Sequence, residues 1–453
     1  MLLQHISTFD SGRPCILDDT TSSWLTYGQF INQVELWISK LGTTRKLVMV
    51  LADNTIETAA VVVAGLSAGH VVQLTNPGLS SESVSLLIDA YEPDCVYRPE
   101  SGLVSAYRET NSPLNGDDAL LFSTSGTTGS PKYVRLSLNA LMQNASDIVH
   151  SLEIDEHSIA SGHLPLHYSF GLSILTSHLL AGASIVLTRK GFLSQEFWQC
   201  VKINKINQLP GVPFHFKLLS RNGFRFLHGT EVSRVIQAGG PLETSIRLEA
   251  YNYMESRSGS FNVMYGQTEA APRISSLPHY DFLNHHNSVG KPMKSGKLLI
   301  DLPDPDGNGR VVYQGPNVML GYASRRSDVG GPDENKGRLD TGDIGRLTSD
   351  GFLILTGRET RFAKINGLRI SLDEIEEALA TISDVAVLEA NDRIRVYVEG
   401  CMSDRQALTD RLEHYFLNRL SLSATNWDAV LIDEIPRSER GKVDYKMLRS
   451  LYG

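Results

Sequence analysis

At 453 residues the chain is too long for one hydrophobic core, and we expect two or more domains. Its 41% apolar and 21% charged residues exclude a largely disordered chain, and its net charge of −9 argues against a nucleic-acid-binding protein. The four cysteines are far apart and form no Cys-x-x-Cys pair, which indicates free thiols in a reducing compartment and neither a disulfide framework nor a zinc site: Cys15, Cys95, Cys200 and Cys401.

The N-terminal segment MLLQHISTFD has neither the basic nor the apolar region of a signal peptide, so we expect a cytoplasmic protein. The longest weakly polar run, residues 171–187, is too short for a membrane span. Strand and helix patterns then alternate: helices over Leu25–Leu41, Glu57–Ala68 and Glu82–Ala90, and strands over Lys46–Leu51, Val71–Leu74 and Cys95–Tyr97. This alternation predicts parallel sheets with helices on their faces, in which ligands bind beyond the carboxyl ends of the strands.

The next strand pattern, Ala119–Phe122, ends in a polar segment that reads STSGTTGSPK. Gly126 and Gly129 let backbone N–H groups turn toward one point. Together with the hydroxyl groups and the Lys132 ammonium, these amides are the donors that a polyphosphate requires. The segment lacks the GxxxxGK[ST] spacing of a Walker-A loop. We therefore predict a phosphate-binding loop of another type over Ser123–Lys132, with a flexible polar hairpin as the alternative.

Helix and strand patterns continue after this loop. Ser137 is predicted to cap a helix that runs to about Leu152. An aromatic-rich elbow, Pro165–Leu172, precedes a further helix and strand, and strand-then-turn units follow at 207–216 and 235–242. These units extend the predicted parallel sheets.

A second polar motif begins at the end of the predicted strand Phe261–Tyr265, where the chain continues as Gly-Gln-Thr-Glu. A carboxylate at a strand exit, here Glu269, can bind Mg²⁺ that it shares with phosphate oxygens. The ring of Tyr265 can lie against a purine. A solvated glutamate in a capped loop is the alternative.

From Asp301 onward Pro, Gly and Asp become frequent, and short strands alternate with polar turns. Within this region Asp343 can accept hydrogen bonds from both hydroxyls of a ribose, and Arg358 can reach the same sugar or an α-phosphate. A turn aspartate and a surface arginine are the alternatives. Past Arg358 we predict a compact α+β domain, with a capping box at Ser371–Glu374, a helix to Thr381, hairpin strands Val385–Glu389 and Ile394–Val398, and a helix over Asp404–Leu420. The predicted domain boundary is Glu359–Thr360.

The order of these motifs resembles that of the adenylate-forming superfamily, which includes acyl-CoA synthetases, adenylation domains and luciferases. The resemblance extends from Leu25 to Lys442 and rests on STSGTTGSPK (123–132), AGGPL (238–242), YGQTE (265–269), LDTGD (339–343), GRETRFAKINGLRISLDEIE (357–376) and GKVDY (441–445). It implies an α/β fold whose large N-terminal domain, residues 1–358, contains doubly wound sheets plus a β-barrel-like subdomain. A hinge at 359–360 and a small mobile α+β C-terminal domain, 361–453, would follow.

The resemblance also implies the residues of the site. ATP or AMP would contact Ser123, Thr124, Ser125, Gly126, Thr127, Thr128, Gly129, Lys132, Gly239, Gly240, Pro241, Tyr265, Gly266, Gln267, Thr268, Asp343, Arg358, Lys364 and Lys442. Catalytic roles would fall to Lys442, Glu269, Thr268 and Lys132, with Glu269 as the Mg²⁺ ligand. The acyl group would lie against His167, Tyr168, Ser169, Phe170, Gly171, Val212 and Gly240. Gly367 would lie on the loop that admits the thiol, and Thr360 would be the hinge.

Departures from the family pattern occur at the hinge and at the elbow. Thr360 stands where the hinge residue is usually Asp or Lys. At the elbow Tyr168 stands where the family has His, with His167 one residue earlier, so we assign His167 no catalytic role. The elbow also lacks the Asp with which amino-acid-activating domains pair the substrate ammonium, which argues against an amino acid. The apolar and aromatic segments around the predicted acyl pocket suit an aryl or medium-length acyl group.

The resemblance implies a reaction in two steps. A carboxylate attacks the α-phosphate of Mg·ATP to give an acyl-adenylate and pyrophosphate, while Lys442 stabilises the charge that develops. The C-terminal domain then rotates about Glu359–Thr360, and a thiol displaces AMP. Coenzyme A is the expected acceptor, and the phosphopantetheine of an acyl carrier protein, which would then be a partner, is the first alternative. A non-catalytic nucleotide-binding homologue is the second.

Overall fold

The computed structural model describes residues 2–19, 23–105, 114–123, 132–358, 361–365, 368–380, 384–390, 393–400, 405–420, 422–438 and 441–452. The chain divides into two compact units. The first comprises Met1–Pro241, Ile246–Leu298 and Tyr313–Leu339, and the second comprises Leu242–Ser245, Leu299–Val312 and Asp340–Gly453. The boundary at Glu359–Thr360 stays a prediction, and both residues lie outside the described ranges.

The helices of the described residues are α1 (Leu2–Ile6), α2 (Tyr27–Leu41), α3 (Ile56–Ser67), α4 (Ser81–Tyr91), α5 (Leu138–Ser151), α6 (Ser169–Ala181), α7 (Gln195–Ile203), α8 (Pro213–Arg221), α9 (Thr244–Glu255), α10 (Leu372–Leu379), α11 (Arg405–Leu420) and α12 (Tyr445–Tyr452). None of these helices combines the length and the apolar character that crossing a membrane requires. The helix predictions over the first hundred residues agree with α2, α3 and α4 to within two residues at each end.

The strands of the described residues are β1 (Pro14–Leu17), β2 (Leu25–Thr26), β3 (Leu47–Leu51), β4 (Val71–Thr75), β5 (Cys95–Arg98), β6 (Gly102–Ser105), β7 (Asp118–Ser123), β8 (Tyr133–Ser137), β9 (Ile159–Gly162), β10 (Ser184–Leu187), β11 (Gln208–Gly211), β12 (Arg234–Gln237), β13 (Ser260–Gly266), β14 (Arg273–Leu277), β15 (Lys291–Pro292), β16 (Lys297–Asp301), β17 (Gly309–Gln314), β18 (Gly321–Ala323), β19 (Arg338–Leu347), β20 (Leu353–Arg358), β21 (Phe362–Ile365), β22 (Leu368–Ser371), β23 (Val385–Ala390), β24 (Arg393–Glu399) and β25 (Trp427–Ile432). Many of them are short and buried, as the apolar runs of the sequence predict.

Two large sheets organise the first unit. One has seven strands in the order β18-β8-β7-β4-β3-β5-β6, and its β5, β3, β4 and β7 run parallel. The other has nine strands in the order β15-β14-β13-β12-β11-β9-β10-β1-β2, with a parallel run from β1 to β13. Every residue of β3 and β4 is buried, because helix α4 packs against one face of this sheet and α3 also contacts both strands. The predicted parallel sheets with covering helices are confirmed.

The second unit contains smaller sheets. Strand β19 pairs antiparallel with β20 in a four-stranded sheet of order β16-β17-β19-β20. The predicted hairpin of the C-terminal region is confirmed as β23 and β24, and a strand that the sequence pattern did not predict, β25, joins β24 in parallel. Apolar side chains of α10 and α11 pack with those of β23 and β24 into one core. This region is therefore a small α+β layer, as predicted.

Local sequence accounts for several element boundaries. Ser137 accepts a hydrogen bond from the backbone N–H of Ala140, which confirms the predicted cap of α5. The unit predicted as a strand and turn at 207–216 differs, because the chain enters α8 directly after β11. Pro213 is the first residue of α8, where its fixed φ angle and missing N–H are favourable.

A buried histidine makes the stability of the first unit depend on pH. The His178 side chain is wholly buried, and its Nδ1–H donates to the Ile174 carbonyl at 2.8 Å. Burial lowers the pKa of His178 from 6.5 to about 4. The unfolded chain therefore binds a proton between these two values that the folded chain does not bind, and the free energy of unfolding falls as the pH falls through this window.

We expect His178 to contribute about 2 kcal/mol to the loss of unfolding free energy between pH 7 and pH 5. Urea denaturation at both pH values measures this loss. In His178→Gln, which keeps a donor but cannot titrate, the loss should be smaller by that amount. An equal loss in both proteins would contradict the assignment.

Candidate active site

The predicted phosphate loop connects two paired strands of the seven-stranded sheet. Ser123 ends β7 and is aligned with Tyr133, the first residue of β8. The loop residues Thr124, Ser125, Gly126, Thr127, Thr128 and Gly129 lie outside the described residues. Because β7 runs parallel to β4, Ser123 lies at the carboxyl edge of the sheet, where such folds bind ligands. The flanks of the loop therefore have the position that the sequence predicts.

Lys132, at the other end of this loop, and Glu269 both contact the side chain of Tyr322. Its ammonium lies 3.5 Å from the ring centroid of Tyr322, and the hydroxyl of Tyr322 donates to Glu269 Oε1 at 3.0 Å. Tyr322 reaches this position because β18 pairs antiparallel with β8, which aligns it with Val134. One aromatic side chain thus contacts both a cation and a carboxylate that the sequence assigns to phosphate and magnesium binding.

Tyr322 is a candidate site residue that the sequence reasoning missed. Burial raises the pKa of its hydroxyl, and the Glu269 charge beside it raises the pKa further. Tyr322 therefore remains a proton donor to Glu269 at neutral pH, which fixes the orientation of that carboxylate. No sequence motif contains Tyr322, and only the pairing of β18 with β8 brings it to the site.

Replacing Tyr322 separates its two contacts. Tyr322→Phe keeps the ring under Lys132 and loses the hydrogen bond to Glu269, so we expect kcat/KM for acid-dependent pyrophosphate release to fall about 10-fold. Tyr322→Leu also loses the cation–π contact, so kcat/KM should fall about 3-fold further than in Tyr322→Phe. Steady-state kinetics of both variants check this order, with Tyr280→Phe, which changes an exposed tyrosine, as the control. Equal activity of Tyr322→Leu and the unaltered protein would refute the role of this side chain.

The YGQTE segment turns sharply at the end of β13. Tyr265 and Gly266 are the last residues of β13, and Gln267 leads into a 3₁₀ turn that contains Thr268 and Glu269. A side chain at Gly266 would collide with the carbonyl of Pro272, so only glycine fits this turn. The turn directs Thr268 toward the first residue of α6, and the hydroxyls of Thr268 and Ser169 lie 3.2 Å apart.

Three residues predicted for the acyl pocket, Tyr168, Phe170 and Val212, lie close together around Gly239. A Cβ atom at Gly239, where φ is +89°, would lie 2.7 Å from the Tyr168 hydroxyl, 3.1 Å from a Val212 methyl and 3.9 Å from the Phe170 ring. The absence of a side chain at Gly239 therefore lets Tyr168 and Val212 pack directly against its backbone. Gly240 is one residue further along, and its carbonyl accepts a hydrogen bond from Gln237 at 2.9 Å.

Two other predicted pocket residues have structural contacts of their own. Gly171 lies so close to the carbonyls of Leu164 and Pro165 that a larger residue would push α6 away from the elbow. His167 Nδ1 donates to the carbonyl of Ala52 at 3.2 Å, which ties the elbow to the end of β3. Both contacts position the elbow, and a direct contact of Gly171 or His167 with an acyl group stays a prediction.

In the second unit, the predicted ribose residues face each other across two strands. Asp343 on β19 is aligned with Arg358 on β20, and Arg358 Nε lies 2.9 Å from Asp343 Oδ1. Asp343 is buried, whereas the Arg358 side chain is 58% exposed. The ion pair is thus formed at the surface of the unit, where water screens its contribution to stability. An exposed guanidinium next to a fixed carboxylate suits a polar sugar ligand.

Lys442 lies in a short segment, residues 441–444, that pairs antiparallel with residues 436–438, and we call these two described segments the lysine hairpin. The backbone N–H of Ser438 donates to the Lys442 carbonyl, and that of Asp444 donates to the Pro436 carbonyl, both at 2.7 Å. The Lys442 side chain is exposed. The backbone around this lysine is therefore constrained by hydrogen bonds on both sides.

A partly buried polar cluster fixes the C-terminal end of the lysine hairpin to α10. The hydroxyl of Tyr445 donates to Glu376 Oε2 at 2.7 Å, and Arg361 Nη2 lies 2.6 Å from Glu376 Oε1. Burial raises the pKa of Glu376, although the neighbouring Arg361 opposes this effect. The guanidinium of Arg361 also lies 3.8 Å from the Tyr445 ring centroid. The sequence reasoning did not identify Arg361 or Tyr445 as residues that position Lys442.

Three further predicted residues lie wholly or partly outside the described part of the structure. Lys364 lies on β21, aligned with Arg369 of β22, and its side chain lies outside the described part of the structure. Gly367 and Thr360 lie outside it entirely. Their roles as a nucleotide contact, a thiol-access residue and a hinge stay predictions.

The carboxylate of Glu269 is the kind of oxygen ligand that suits a hard divalent cation such as Mg²⁺. Tyr322 donates to Oε1 of this carboxylate, and within the described residues no ion pair involves Glu269. No group of three or more His, Cys, Asp or Glu that could bind a metal occurs in the described part of the chain. A single carboxylate of this kind suits Mg²⁺, which is commonly bound by one or two carboxylates, water and substrate phosphates.

Comparisons with known proteins identify a family and several relatives. The family described as AMP-binding enzyme matches residues 98–323. An oxalate–CoA ligase of Arabidopsis thaliana is 31% identical over 77% of this chain and 70% of its own length. The 4-coumarate–CoA ligase CCL1 of Humulus lupulus is 24% identical over 99% of this chain and 92% of its own length.

The solved structures that resemble this fold include the o-succinylbenzoate CoA synthetase MenE of Bacillus subtilis in complex with the acyl-adenylate intermediate OSB-AMP. That structure has a TM-score of 0.80 at 20% identity and covers 99% of this chain and 97% of its own. The same synthetase has also been solved with ATP and a magnesium ion. The fold of this chain is therefore the α/β fold of an adenylate-forming enzyme, as the sequence predicts.

Proposed function

Since the chain belongs to the AMP-binding enzyme family, we propose that it activates a carboxylic acid with ATP and transfers the acyl group to coenzyme A. The observation that carries this proposal is the joint contact of Tyr322 with Lys132 and Glu269 beside the phosphate loop. This arrangement combines a cation for phosphate oxygens with a carboxylate for their magnesium ion. The relatives reported above are named as acid–CoA ligases, which supports the same reaction.

In the first step, a carboxylate oxygen of the acid attacks the α-phosphorus of ATP. The bond from that phosphorus to the bridging oxygen breaks, and pyrophosphate leaves with the electron pair. Lys132 and the phosphate loop would bind the β- and γ-phosphates, and Asp343 and Arg358 would bind the ribose. Lys442 would contact the α-phosphate, where negative charge increases in the transition state. Positioning and charge stabilisation suffice, so no protein nucleophile is required.

Magnesium would supply charge neutralisation for the phosphate oxygens, with Glu269 as its protein ligand. Tyr322 would hold that carboxylate in one orientation. Thr268, next to Glu269 in the same 3₁₀ turn, would place its hydroxyl at a phosphate oxygen. The protein's contribution at this point is therefore to orient a carboxylate and a hydroxyl group before the substrate arrives.

In the second step, the sulfur of a thiol attacks the acyl carbonyl, AMP leaves with the oxygen that the acid supplied, and the thiol loses its proton. We propose that the domain after residue 360 rotates between the two steps, so that Lys442 withdraws and the loop at Gly367 faces the adenylate. The relatives named as CoA ligases favour coenzyme A over a carrier-protein phosphopantetheine as acceptor. We further propose a cytoplasmic location, because free thiols such as Cys15 and Cys95 suit a reducing compartment.

A pyrophosphate-release assay with a broad panel of carboxylic acids tests this function. The expected result is acid-dependent pyrophosphate with ATP and Mg²⁺, followed by a thioester when coenzyme A is added. Parallel reactions with a phosphopantetheine-loaded carrier protein identify the acceptor. Lys132→Met serves as the inactive control. Nucleotide binding without pyrophosphate release from any acid would instead indicate the non-catalytic homologue.

A further inference from the structure

Among the residues that the structure describes, one buried arginine near the predicted acyl pocket has no protein acceptor. The buried arginines of the described residues are Arg135, Arg247, Arg273 and Arg326. Three of them donate to protein oxygen atoms: Arg135 and Arg326 to the carboxylates of Asp118 and Asp94, and Arg247 to the carbonyl of Ser288. Within the described residues no oxygen accepts a hydrogen bond from the Arg273 guanidinium, and its Nε is enclosed without a partner. A buried guanidinium of this kind is costly unless an anion pairs with it.

The Arg273 guanidinium lies against Phe170, one of the residues predicted for the acyl pocket. Its Cζ atom lies 4.2 Å from the ring centroid of Phe170, in the first turn of α6. Burial lowers the pKa of Arg273 to about 10, although Tyr168 opposes this effect. The side chain therefore keeps its charge at neutral pH. The aromatic ring compensates only part of the lost hydration, because a cation–π contact supplies no hydrogen-bond acceptor.

Two buried asparagines fix the backbone of Arg273. Asn144 accepts from the Arg273 N–H at 3.2 Å and donates to the Arg273 carbonyl at 2.9 Å, and Asn317 donates to the same carbonyl at 3.0 Å. Arg273 is the first residue of β14 and is aligned with Gly266 of the YGQTE segment. Contacts from α5, β13 and the segment before β18 thus set the position of this arginine relative to the 3₁₀ turn that contains Thr268 and Glu269. A fixed, charged and unsatisfied donor is a preorganised binding group.

We propose that Arg273 pairs with a second carboxylate of the substrate, so that the acids activated by this protein are dicarboxylic acids. This inference rests on the proposed function and names its substrate class. The apolar atoms of Phe170 and Val212 would contact the part of the acid between its two carboxylates. A monocarboxylic acid of the same length would leave the guanidinium unpaired, and a site built to bind a polar group discriminates strongly against an analogue that lacks it.

The second carboxylate, and not the reacting one, is the partner for two reasons. A bidentate arginine pair would stabilise the reacting carboxylate in the ground state and slow its attack on phosphorus. Arg273 also contacts Phe170, which is predicted to lie against the acyl group. The reacting carboxylate would instead lie near Thr268, the predicted phosphate contact, whose hydroxyl is 3.2 Å from that of Ser169. The two ends of the acid are therefore recognised by different groups.

Matched pairs of acids test this inference: oxalate, malonate, succinate and glutarate against acetate, propionate, butyrate and valerate. With the unaltered protein, at least one dicarboxylate should exceed its monocarboxylate partner in kcat/KM for pyrophosphate release by about 10²-fold. The same dicarboxylate should raise the melting temperature without ATP, and its partner should not. Arg273→Met should abolish both preferences, and Arg273→Lys should restore part of the binding. Arg225→Met, which changes an exposed arginine, should leave both unchanged.

Arg273→Met should also raise the melting temperature of the ligand-free protein, by about 1–3 °C, because it removes an unpaired buried charge. Pyrophosphate release with monocarboxylates at rates equal to their dicarboxylate partners would overturn the inference and leave the proposed function intact. Dicarboxylate binding that requires Arg273, without pyrophosphate release from any acid, would support the inference and contradict the proposed function. Failure of every dicarboxylate to bind or react would overturn the inference whatever other acids do.

Discussion

Lys442→Ala is expected to slow acid-dependent ATP–pyrophosphate exchange by about 10²–10³-fold, the scale for losing one preorganised transition-state contact. The physical reason is that the Lys442 ammonium would contact the α-phosphate while the negative charge on that phosphate increases. Alanine has no positive charge to stabilise it. Formation of the thioester from added acyl-adenylate should be nearly unaffected, because this step needs no contact with Lys442. Both rates can be measured on one preparation, by isotope exchange and by thioester detection.

The control for this substitution is Lys446→Ala, which removes an exposed lysine four residues away, on α12. It should leave both rates unchanged. The lysine hairpin remains anchored through Tyr445 in either variant, so the comparison isolates the ammonium. Equal losses in the exchange and thioester assays for Lys442→Ala would contradict a role confined to the first step.

Glu269→Gln is expected to lower kcat/KM for pyrophosphate release by about 10²-fold and to raise the Mg²⁺ concentration that gives half-maximal rate. Glutamine keeps the size of the side chain and an acceptor for Tyr322, but it removes the negative charge that a divalent cation requires. Magnesium titrations of the reaction rate measure both effects. The preference among acids should not change, because Glu269 is assigned no contact with the acyl group.

Glu196→Gln is the matched control, since Glu196 is an exposed carboxylate in the first turn of α7. Its magnesium dependence should equal that of the unaltered protein. A Glu269→Gln variant with the same magnesium dependence as this control would show that Glu269 is not the metal ligand. The proposal for Tyr322 would then also lose its basis.

Local patterns in the sequence predict those parts of the site in which neighbouring residues act together. The polar segment after Phe122 and the motif after Tyr265 are continuous, and each follows a strand whose apolar run is evident. Parallel strands bring their carboxyl ends to one edge of a sheet, so a motif at a strand exit has a predictable position. The strand pattern and the polar segment that follows it together predict where the phosphate loop lies.

The contacts that orient these groups depend on pairing between distant segments. Tyr322 reaches Lys132 and Glu269 only because β18 joins the sheet beside β8. Arg273 looks like a surface residue in the sequence, since arginine is rarely buried, and only its place in a wholly buried strand reveals the unusual environment. A charged residue that begins an otherwise buried strand is the one signal that a sequence analysis could have used.

The second unit illustrates the same distinction. The capping-box and hairpin patterns predict α10, β23 and β24 because each depends on neighbouring residues. Strand β25 and helix α12 were missed, and α12 begins with the tyrosine that fixes the lysine hairpin through Glu376. This contact joins residues far apart in the chain, so no local pattern indicates it.

The most direct test of adenylate formation follows an oxygen atom. A carboxylic acid that the protein uses is labelled with ¹⁸O in its carboxylate and incubated with ATP, Mg²⁺ and coenzyme A, and the products are analysed by mass spectrometry. If the carboxylate attacks the α-phosphorus, each AMP released should carry one ¹⁸O atom and the pyrophosphate none. Label in inorganic phosphate together with ADP, or unlabelled AMP, would contradict the proposed reaction.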